Sequence, residues 1–139
     1  MIITNKSISL KMAKKMADAA EKAAIERSLR IVIAIMDNHG NLKYYRRMDG
    51  NNFVSVRMAQ LKALTSASIP ISTKDLASRN AGLENGPYLA APGVILLEGG
   101  LPIITKDNQH IGAIGISGAT PELDGECAQA AIDSIANLL

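Results

Sequence analysis

The chain has 139 residues, 47% of them hydrophobic and 20% charged, which are the values of an ordinary globular domain. Aromatic residues make up only 3% and tryptophan is absent, which argues against a nucleic-acid-binding surface that stacks bases. The single cysteine, Cys127, excludes an internal disulfide, and neither a signal peptide nor a membrane-length apolar stretch is visible. We therefore expect one cytoplasmic domain over residues 1–139, with no nucleic-acid or membrane partner.

The net charge of +2 is distributed unevenly along the chain. Residues 1–70 contain twelve basic and five acidic residues, about +7, whereas residues 71–139 contain three and eight, about −5. Two interpretations stay open. The halves form complementary patches that promote self-association or a basic rim facing an anionic ligand, or the charges are the solvated face of the first helix.

The first predicted element is a long helix, capped by Ser9 and ending near Arg27. Its apolar residues recur with the helical period: Leu10, Ala13, Met16, Ala17, Ala20, Ala23 and Ala24. So many alanines on one face predict close packing on a sheet. A β-hairpin follows, with an apolar strand over Ile31–Met36, turn residues at Asp37–Asn41 and a return strand over Leu42–Met48.

A second helix is predicted from Phe53 to about Ser68, before Pro70 stops it. Its larger apolar residues make one face and its small residues lie beside that face: Val54, Met58, Leu61 and Leu64, with Ala59, Ala63 and Ala67. Ser72 or Thr73 caps a short helix that ends near Arg79. The glycine- and proline-rich residues 80–93 are typical of a lid or binding loop.

Three strands then form an antiparallel meander, over residues 94–98, 101–106 and 109–117. The last helix begins with Thr120 as N-cap and Pro121 in its first turn. Its apolar face includes Cys127, Ala131, Ile135 and Leu138. Hairpins of strands separated by helices indicate the α+β class, here a five-stranded antiparallel sheet with flanking helices.

Glycines are concentrated in the second half of the chain, where nine of the eleven lie between Gly82 and Gly125. The run Gly112–Gly118 is preceded by Gly99-Gly100-Leu101-Pro102. Glycine in an apolar strand loses packing and costs backbone entropy. The pattern therefore predicts that the backbone comes close to a ligand, a packed helix or another subunit.

Few residues have the spacing that chemistry requires. The two histidines and one cysteine show no metal-ligand spacing, so we expect no metal site. Ser117 lacks the flanking glycine spacing of a nucleophile elbow and an obvious general base, so we assign no catalytic residue. Ser117, the Gly118 amide and the start of the last helix form either an anion cradle or a tight turn. His39 is either a solvated turn residue or an axial ligand to haem iron.

Lys62 lies among apolar residues in the middle of the second predicted helix. Its ammonium group either extends along the surface to water or points into a pocket toward an acid such as Asp49 or Asp124. An exposed Lys–Asp pair would contribute only about 0–1 kcal/mol, so stability at the surface is a weak reason for a lysine there.

These motifs, taken together, resemble those of the GlcG/HbpS-like family. The matching residues are Asp37-x-x-Gly40-x-Leu42, Arg47-Met48-Asp49, Lys62-Ala63, Gly99-Gly100-x-Pro102, the run Gly112–Gly118 and Asp124. The family includes haem-binding HbpS proteins, GlcG of glycolate operons and the C-terminal domain of PduO-type proteins. The resemblance implies a profilin-like fold, homo-oligomers and, for some members, association with haem or a corrinoid. Where the family often has a hairpin histidine, this chain has Asn41, and its nearest histidine is His39.

The first function hypothesis is a non-enzymatic accessory protein that binds a small molecule, with haem as the named ligand. A small enzyme or carrier for an organic acid of a catabolic operon, and a structural oligomer, are the alternatives. Because strand termini meet at the ends of a sheet, one binding pocket is predicted there. Its residues are Arg47, Met48, Asp49, Lys62, Gly99, Gly100, Pro102, Ser117, Gly118 and Asp124. Arg47 and Lys62 would attract carboxylates such as haem propionates.

Overall fold

The computed structural model describes all 139 residues and alternates helices with strands. The helices are α1 (Leu10–Glu26), α2 (Val54–Ser68), α3 (Thr73–Ala81) and α4 (Pro121–Ile135), and the strands are β1 (Val32–Asp37), β2 (Leu42–Arg47), β3 (Gly100–Ile104) and β4 (His110–Ser117). Short 3₁₀ turns cover Pro87–Ala90 and Ala136–Leu138. None of the helices is both long and apolar enough to cross a bilayer.

The four strands form one antiparallel sheet in the order β2-β1-β4-β3. Helices α1 and α4 cover one face, and α2 covers the other. Residues 32–36 of β1 are buried because that central strand has neighbours on both edges and helices on both faces. The predicted α+β class is confirmed.

Helix α1 begins as predicted, with the Ser9 Oγ accepting the Met12 N–H at 3.1 Å. Six of the seven predicted apolar positions are buried against the core. Leu10 is the exception, with 59% of its surface exposed, because it lies at the edge of the stripe in the first turn. At the other end of the chain, Leu138 is also exposed because α4 ends at Ile135 and the following 3₁₀ turn changes the direction of its side chain.

The predicted fifth strand, over residues 94–98, is wrong. That segment packs on α2 and does not join the sheet: the Ile95 N–H donates to the Thr65 Oγ1 at 2.9 Å. The Val94 N–H donates to the Ala91 carbonyl within its own turn. With their amides used in this way, these residues leave β3 as the edge of a four-stranded sheet.

The structure shows which side of α2 faces the sheet. The helix buries small and polar residues, and it leaves Val54 exposed and Met58, Leu61 and Leu64 half-exposed. The buried set is Ser55, Ala59, Lys62, Ala63, Thr65, Ser66 and Ala67. A Cβ atom at Gly115 in β4 would overlap the Ala59 carbonyl oxygen and the Ala63 amide nitrogen. Because the helix lies this close to the sheet at Gly115, only small side chains fit at Ala59 and Ala63.

Candidate functional site

The strand ends that carry the predicted pocket lie at one end of the sheet. Val32 at the start of β1 pairs with Arg47 on one side and with Ser117 on the other. Gly100 at the start of β3 pairs with Gly115 in β4. Arg47, Ser117 and the Gly99-Gly100 pair therefore share one end, although they do not line one cavity.

Lys62 crosses from α2 to the start of α4 and forms a buried ion pair there. Its Nζ donates to Asp124 Oδ2 at 3.0 Å and to the Ile116 carbonyl oxygen at 2.9 Å. The two residues are only 2% and 1% exposed. Of the two acids proposed as partners from the sequence, the structure pairs Lys62 with Asp124. The ammonium group therefore faces the protein interior and offers no charge to a ligand in the surrounding cavities.

The two consecutive glycines before β3 make room for this lysine. A Cβ at Gly99 would lie 2.9 Å from Lys62 Nζ, and the backbone there has φ +132°. A Cβ at Gly100 would lie 2.6 Å from the Lys62 carbonyl oxygen and from Thr73 Cγ2. Of the three explanations for the glycine-rich pattern, the close approach of a packed helix applies at this pair.

Beside the anion cradle predicted at Ser117 and Gly118, the carboxylate of Asp124 binds the next amide of the turn. Its Oδ1 accepts the N–H of Ala119 at 2.9 Å, and its Oδ2 accepts from Lys62. Gly118 has φ +132°, and a Cβ there would overlap the Arg30 carbonyl oxygen. The turn is tight, and the Ala119 amide in it donates to the Asp124 side chain of the same chain.

Burial raises the pKa of Asp124, against the opposite effects of the Lys62 ammonium and the Ala119 amide. Removing one member of such a pair leaves an unpaired charge in the interior, which is strongly destabilising. This geometry gives Lys62 and Asp124 a bracing role that fixes α2 and α4 to the same end of β4.

The remaining predicted residues lie in two separate cavities and on one strand. Arg47, Met48 and Asp49 line a cavity of about 520 Å³, together with Glu21, Ser28, Leu29 and Arg30. Met48 also accepts the Ile31 N–H on its sulfur at 3.4 Å. Gly99 and Gly100 line a cavity of about 430 Å³, together with Ser72, Lys74, Asp75, Glu98, Leu101, Gly125, Glu126 and Gln129. Pro102 lies within β3, opposite Ala113, and lines neither cavity.

His39 lies in the β1–β2 turn and its side chain is exposed. The turn is organised by Asp37, whose Oδ1 accepts the backbone N–H of His39 at 2.8 Å and of Asn41 at 3.0 Å. Burial pushes the pKa of Asp37 upward, but these hydrogen bonds outweigh it and hold the pKa below its usual value. The backbone of the turn is thus fixed while the His39 imidazole faces solvent.

An apolar groove on the outer face of α2 lies next to this turn. Its lining residues are Met36, Val56, Arg57, Gln60, Leu61 and Leu64, and its volume is about 390 Å³. A Cβ at Gly40 would lie 3.0 Å from Leu64 Cδ1, so the turn touches the wall of this α2 groove. The sequence did not indicate this groove, because the pattern places Leu61 and Leu64 on one face of α2 without showing whether that face is inside or outside. The sequence signal for the groove is the face of α2 that carries the larger apolar residues. That face must be the outer one once the alanines of α2 are recognised as the contact with the glycines of the sheet.

The α2 groove fits a haem better than the cavity at Gly99 does. A porphyrin needs apolar walls, a cation for its propionates and an axial ligand to iron. The Gly99 cavity contains three carboxylates, Asp75, Glu98 and Glu126, which would repel propionates. A second apolar cavity, between α1 and the C-terminus, is lined by Lys11, Met12, Lys15 and Leu138 and contains no histidine. Nowhere in the chain do three or more histidine, cysteine or acidic side chains form a cluster that could hold a metal ion.

Comparison with known proteins adds family information to this geometry. Residues 8–133 match the family model described as haem degrading protein HbpS-like. A 15.0 kDa protein of the dhaT–dhaS intergenic region of Citrobacter freundii is 32% identical over 135 residues, covering 95% of this chain and 94% of its own. The crystal structure of Klebsiella pneumoniae protein ORFY is similar with a TM-score of 0.91 and 33% identity, covering 99% and 97% of the two chains. A crystal structure of a PduOC:heme complex is similar with a TM-score of 0.83 and 29% identity, covering 93% and 95%.

Proposed function

The chain belongs to the HbpS-like family, and from this premise we propose that it is an accessory protein that binds haem or a related tetrapyrrole in the α2 groove. The family description and the haem complex of a relative support the ligand class. The observation that carries the proposal is the apolar α2 groove against the turn that contains His39.

Different residues in and beside the groove would contact different parts of a haem. Val56, Leu61 and Leu64 would contact the porphyrin face, and Arg57 would pair with a propionate. His39 would provide the axial nitrogen from the adjoining turn. A bound haem supplies an iron centre capable of redox and oxygen chemistry. In this proposal Lys62, Asp124 and the glycines around them support α2 from behind and do not touch the ligand.

We propose binding without turnover by residues of the chain. Ser117 has no base beside it in the hydrogen-bond network, and Cys127 is fully buried, with burial raising the pKa of its thiol. A haem held by this protein should therefore stay intact when reductant is added, with a Soret band that shifts as the iron is reduced but is not lost over time. Steady loss of that absorption, faster than with free hemin, would make the protein a haem-degrading enzyme and refute this part of the proposal.

A second candidate function, carriage of an organic acid, is favoured by one observation. Arg30 and Arg47 line the same cavity of about 520 Å³ at the end of the sheet. Two guanidinium groups suit a carboxylate, although Glu21 and Asp49 share the lining. Calorimetric titration of the parent and Arg47→Ala with small organic acids decides it: saturable binding that the variant loses supports the carrier.

The proposal includes self-association of the chain into a homo-oligomer. The exposed start of α2 supports it, because Phe53 is 88% and Val54 59% exposed. Large apolar side chains that face solvent next to one another are typical of an association surface. The alternative, a purely structural oligomer, differs from the proposal only in lacking a ligand.

The experiment is a hemin titration followed by visible absorption. The parent should show a Soret shift that saturates at one hemin per chain. His39→Ala should change the position of the band by removing the axial nitrogen, and Leu61→Glu should weaken binding by placing a carboxylate in the groove beside the propionates. Leu138→Glu is the matched control, because it places the same charge in the apolar cavity that has no histidine.

The outcomes separate the two apolar sites. If Leu138→Glu weakens binding and both α2-groove variants bind hemin as the parent does, the ligand site is wrong. If the parent shows no saturable shift, haem binding itself is wrong. Circular dichroism of each variant checks that the fold is retained.

A further inference from the structure

A cavity at the opposite end of the sheet from Gly99 has an entirely polar lining. It lies where β1 ends and β4 begins, since Asp37 pairs with Gly112. Its lining residues are Thr4, Asn5, Lys6, Asn38, Gln109 and His110, and its volume is about 270 Å³. We call it the N-terminal cavity. It has room for several waters or for one small organic molecule.

Two atoms of this lining are buried and have no hydrogen-bond partner, Asn38 Oδ1 and His110 Nε2. Tyr45 Oη is the one other such side-chain atom in the chain, and Tyr45 does not line the cavity. Buried polar atoms in folded proteins nearly always have a partner, whether protein, water or ligand. The coincidence of two unpaired atoms in one polar cavity therefore marks a place where a polar molecule binds.

The N-terminal segment is held over the cavity by one anchored residue. Ile8 is buried, and its N–H donates to the Ile111 carbonyl oxygen at 3.0 Å. Lys6 stands at the rim, where its Nζ lies 3.6 Å from Asp107 Oδ2 and both side chains are largely exposed. An exposed pair of this kind is weak, so the ammonium group can turn toward an anion in the cavity.

The lining selects a zwitterion on chemical grounds. Asn38 Oδ1 only accepts hydrogen bonds. Burial lowers the pKa of His110, so its ring is neutral near pH 7 and one of its nitrogens accepts. A ligand that satisfies both residues needs more than one N–H or O–H hydrogen at one end and an anion for Lys6 at the other. A hydroxyl group has a single hydrogen, whereas an ammonium group has three.

We propose that the N-terminal cavity binds a small free amino acid of the size of glycine or serine. Asn38 Oδ1 and His110 Nε2, which are buried in this structure, turn into the cavity to accept from its ammonium group, and its carboxylate faces Lys6. The absence of any apolar side chain from the lining excludes amino acids with large apolar side chains. This site shares no residue with the α2 groove, so its test is independent of the haem proposal.

Isothermal titration calorimetry with free glycine, L-serine and glycolate tests the proposal. Glycolate is the matched ligand, because a hydroxyl group replaces the ammonium of glycine. We expect saturable binding of glycine or serine and much weaker binding of glycolate. Asn38→Ala and His110→Ala should each weaken binding at least about tenfold, as expected for the loss of a hydrogen bond to a charged group.

The control variant Asn52→Ala has the same asparagine change at an exposed site and should bind as the parent does. Should a cavity variant fail to fold, NMR of the His110 imidazole in the parent gives a second measurement, since its resonances should shift on addition of glycine. The proposal is overturned if neither amino acid binds at millimolar concentration, if glycolate binds as tightly as glycine, or if the folded cavity variants bind unchanged.

Discussion

Lys62 shows how one charged residue can define the packing of a whole helix. Its side chain has no contact with water, and its ammonium group is bound by Asp124 and by the Ile116 carbonyl. A Cβ atom at Gly99 or Gly100 would overlap Lys62, so the two glycines leave room for it. A buried ion pair of this kind is weak evidence for stability, but the loss of one partner is costly. The residue is thus required in a folded chain that contains Asp124.

Lys62→Met should destabilise the protein by about 3–5 kcal/mol, since it leaves the Asp124 carboxylate buried without a cation. Adding Asp124→Asn should recover part of this loss, because the amide keeps an oxygen for the Ala119 N–H and removes the charge. Urea denaturation of the two variants and the parent measures the difference. Equal stability of the single and the double variant would contradict the conclusion that the unpaired Asp124 carboxylate causes the loss.

The loss of stability caused by Lys62→Met should also depend on pH. Loss of the cation raises the folded-state pKa of Asp124 further above its ordinary value of 3.8. A carboxyl group with a raised folded-state pKa contributes stability below its unfolded pKa and loses it as the pH rises through the folded value. The deficit should therefore be largest at neutral pH and shrink toward about pH 4. A deficit that grows on acidification would show that the carboxylate is not the group left unpaired.

Among the elements, the contact between α2 and β4 determines which faces are inside and which are outside. Gly115 lets the α2 backbone approach the sheet so closely that alanine is the size limit on the helix side. The outward direction of Leu61 and Leu64, and with it the α2 groove, follows from this contact. The proposed ligand site therefore depends on a glycine that does not line it.

Gly115→Ala should destabilise the protein by at least about 1–3 kcal/mol, because the added methyl overlaps backbone atoms that cannot move independently. Gly82→Ala is the matched control, since its Cβ would lie 3.6 Å from the nearest atom and its φ is −85°. That variant should be neutral or slightly stabilised, by up to about 1 kcal/mol. Thermal unfolding of both measures the effect, and equal melting temperatures would refute the close contact.

Local signals predicted the elements whose ends are determined by their own residues. The structure confirms the Ser9 and Thr120 caps, and of the two caps left open for α3, Ser72 or Thr73, it has Ser72. The hairpin was placed to within about one residue because its turn chemistry lies in consecutive positions. The profilin-like classification that the resemblance implied stays a prediction.

The errors arose where a distant contact overrides the local pattern. Residues 94–98 look like a strand, but a threonine of α2 binds the Ile95 amide. The sequence places larger and small apolar residues on neighbouring faces of α2, and only the distant Gly115 in β4 decides that the small ones face the sheet. The predicted pocket joined residues that share one end of the sheet, and sequence cannot show that Arg47 lines a cavity that Lys62 does not reach. The sequence left two acids as partners for Lys62, Asp49 and Asp124, because the predicted topology places both near it.

For the molecule as a whole, the contrast between a basic and an acidic half is less marked than the sequence suggests. Arg46 forms ion pairs within the basic half, with Asp18 at 2.9 Å and Glu21 at 3.6 Å. Arg27 reaches Glu126 of the acidic half at 4.0 Å within the same chain. Part of the opposed charge is therefore used inside one molecule. An apolar contact then becomes the better basis for self-association.

The exposed start of α2 is the surface on which this prediction rests. Phe53 is the only phenylalanine of the chain, and 88% of its surface is exposed next to Val54. We expect light scattering to give at least a dimer at micromolar concentration, and the mass to persist at high salt, where charge attraction is screened within a few ångströms. Phe53→Glu should reduce the mass to that of a monomer. Ile25→Glu, at an exposed apolar position of α1 on the opposite side of the sheet, is the matched control and should leave the mass unchanged. A parent that is monomeric at these concentrations would refute the assembly, and one that dissociates only at high salt would restore the charge-based explanation.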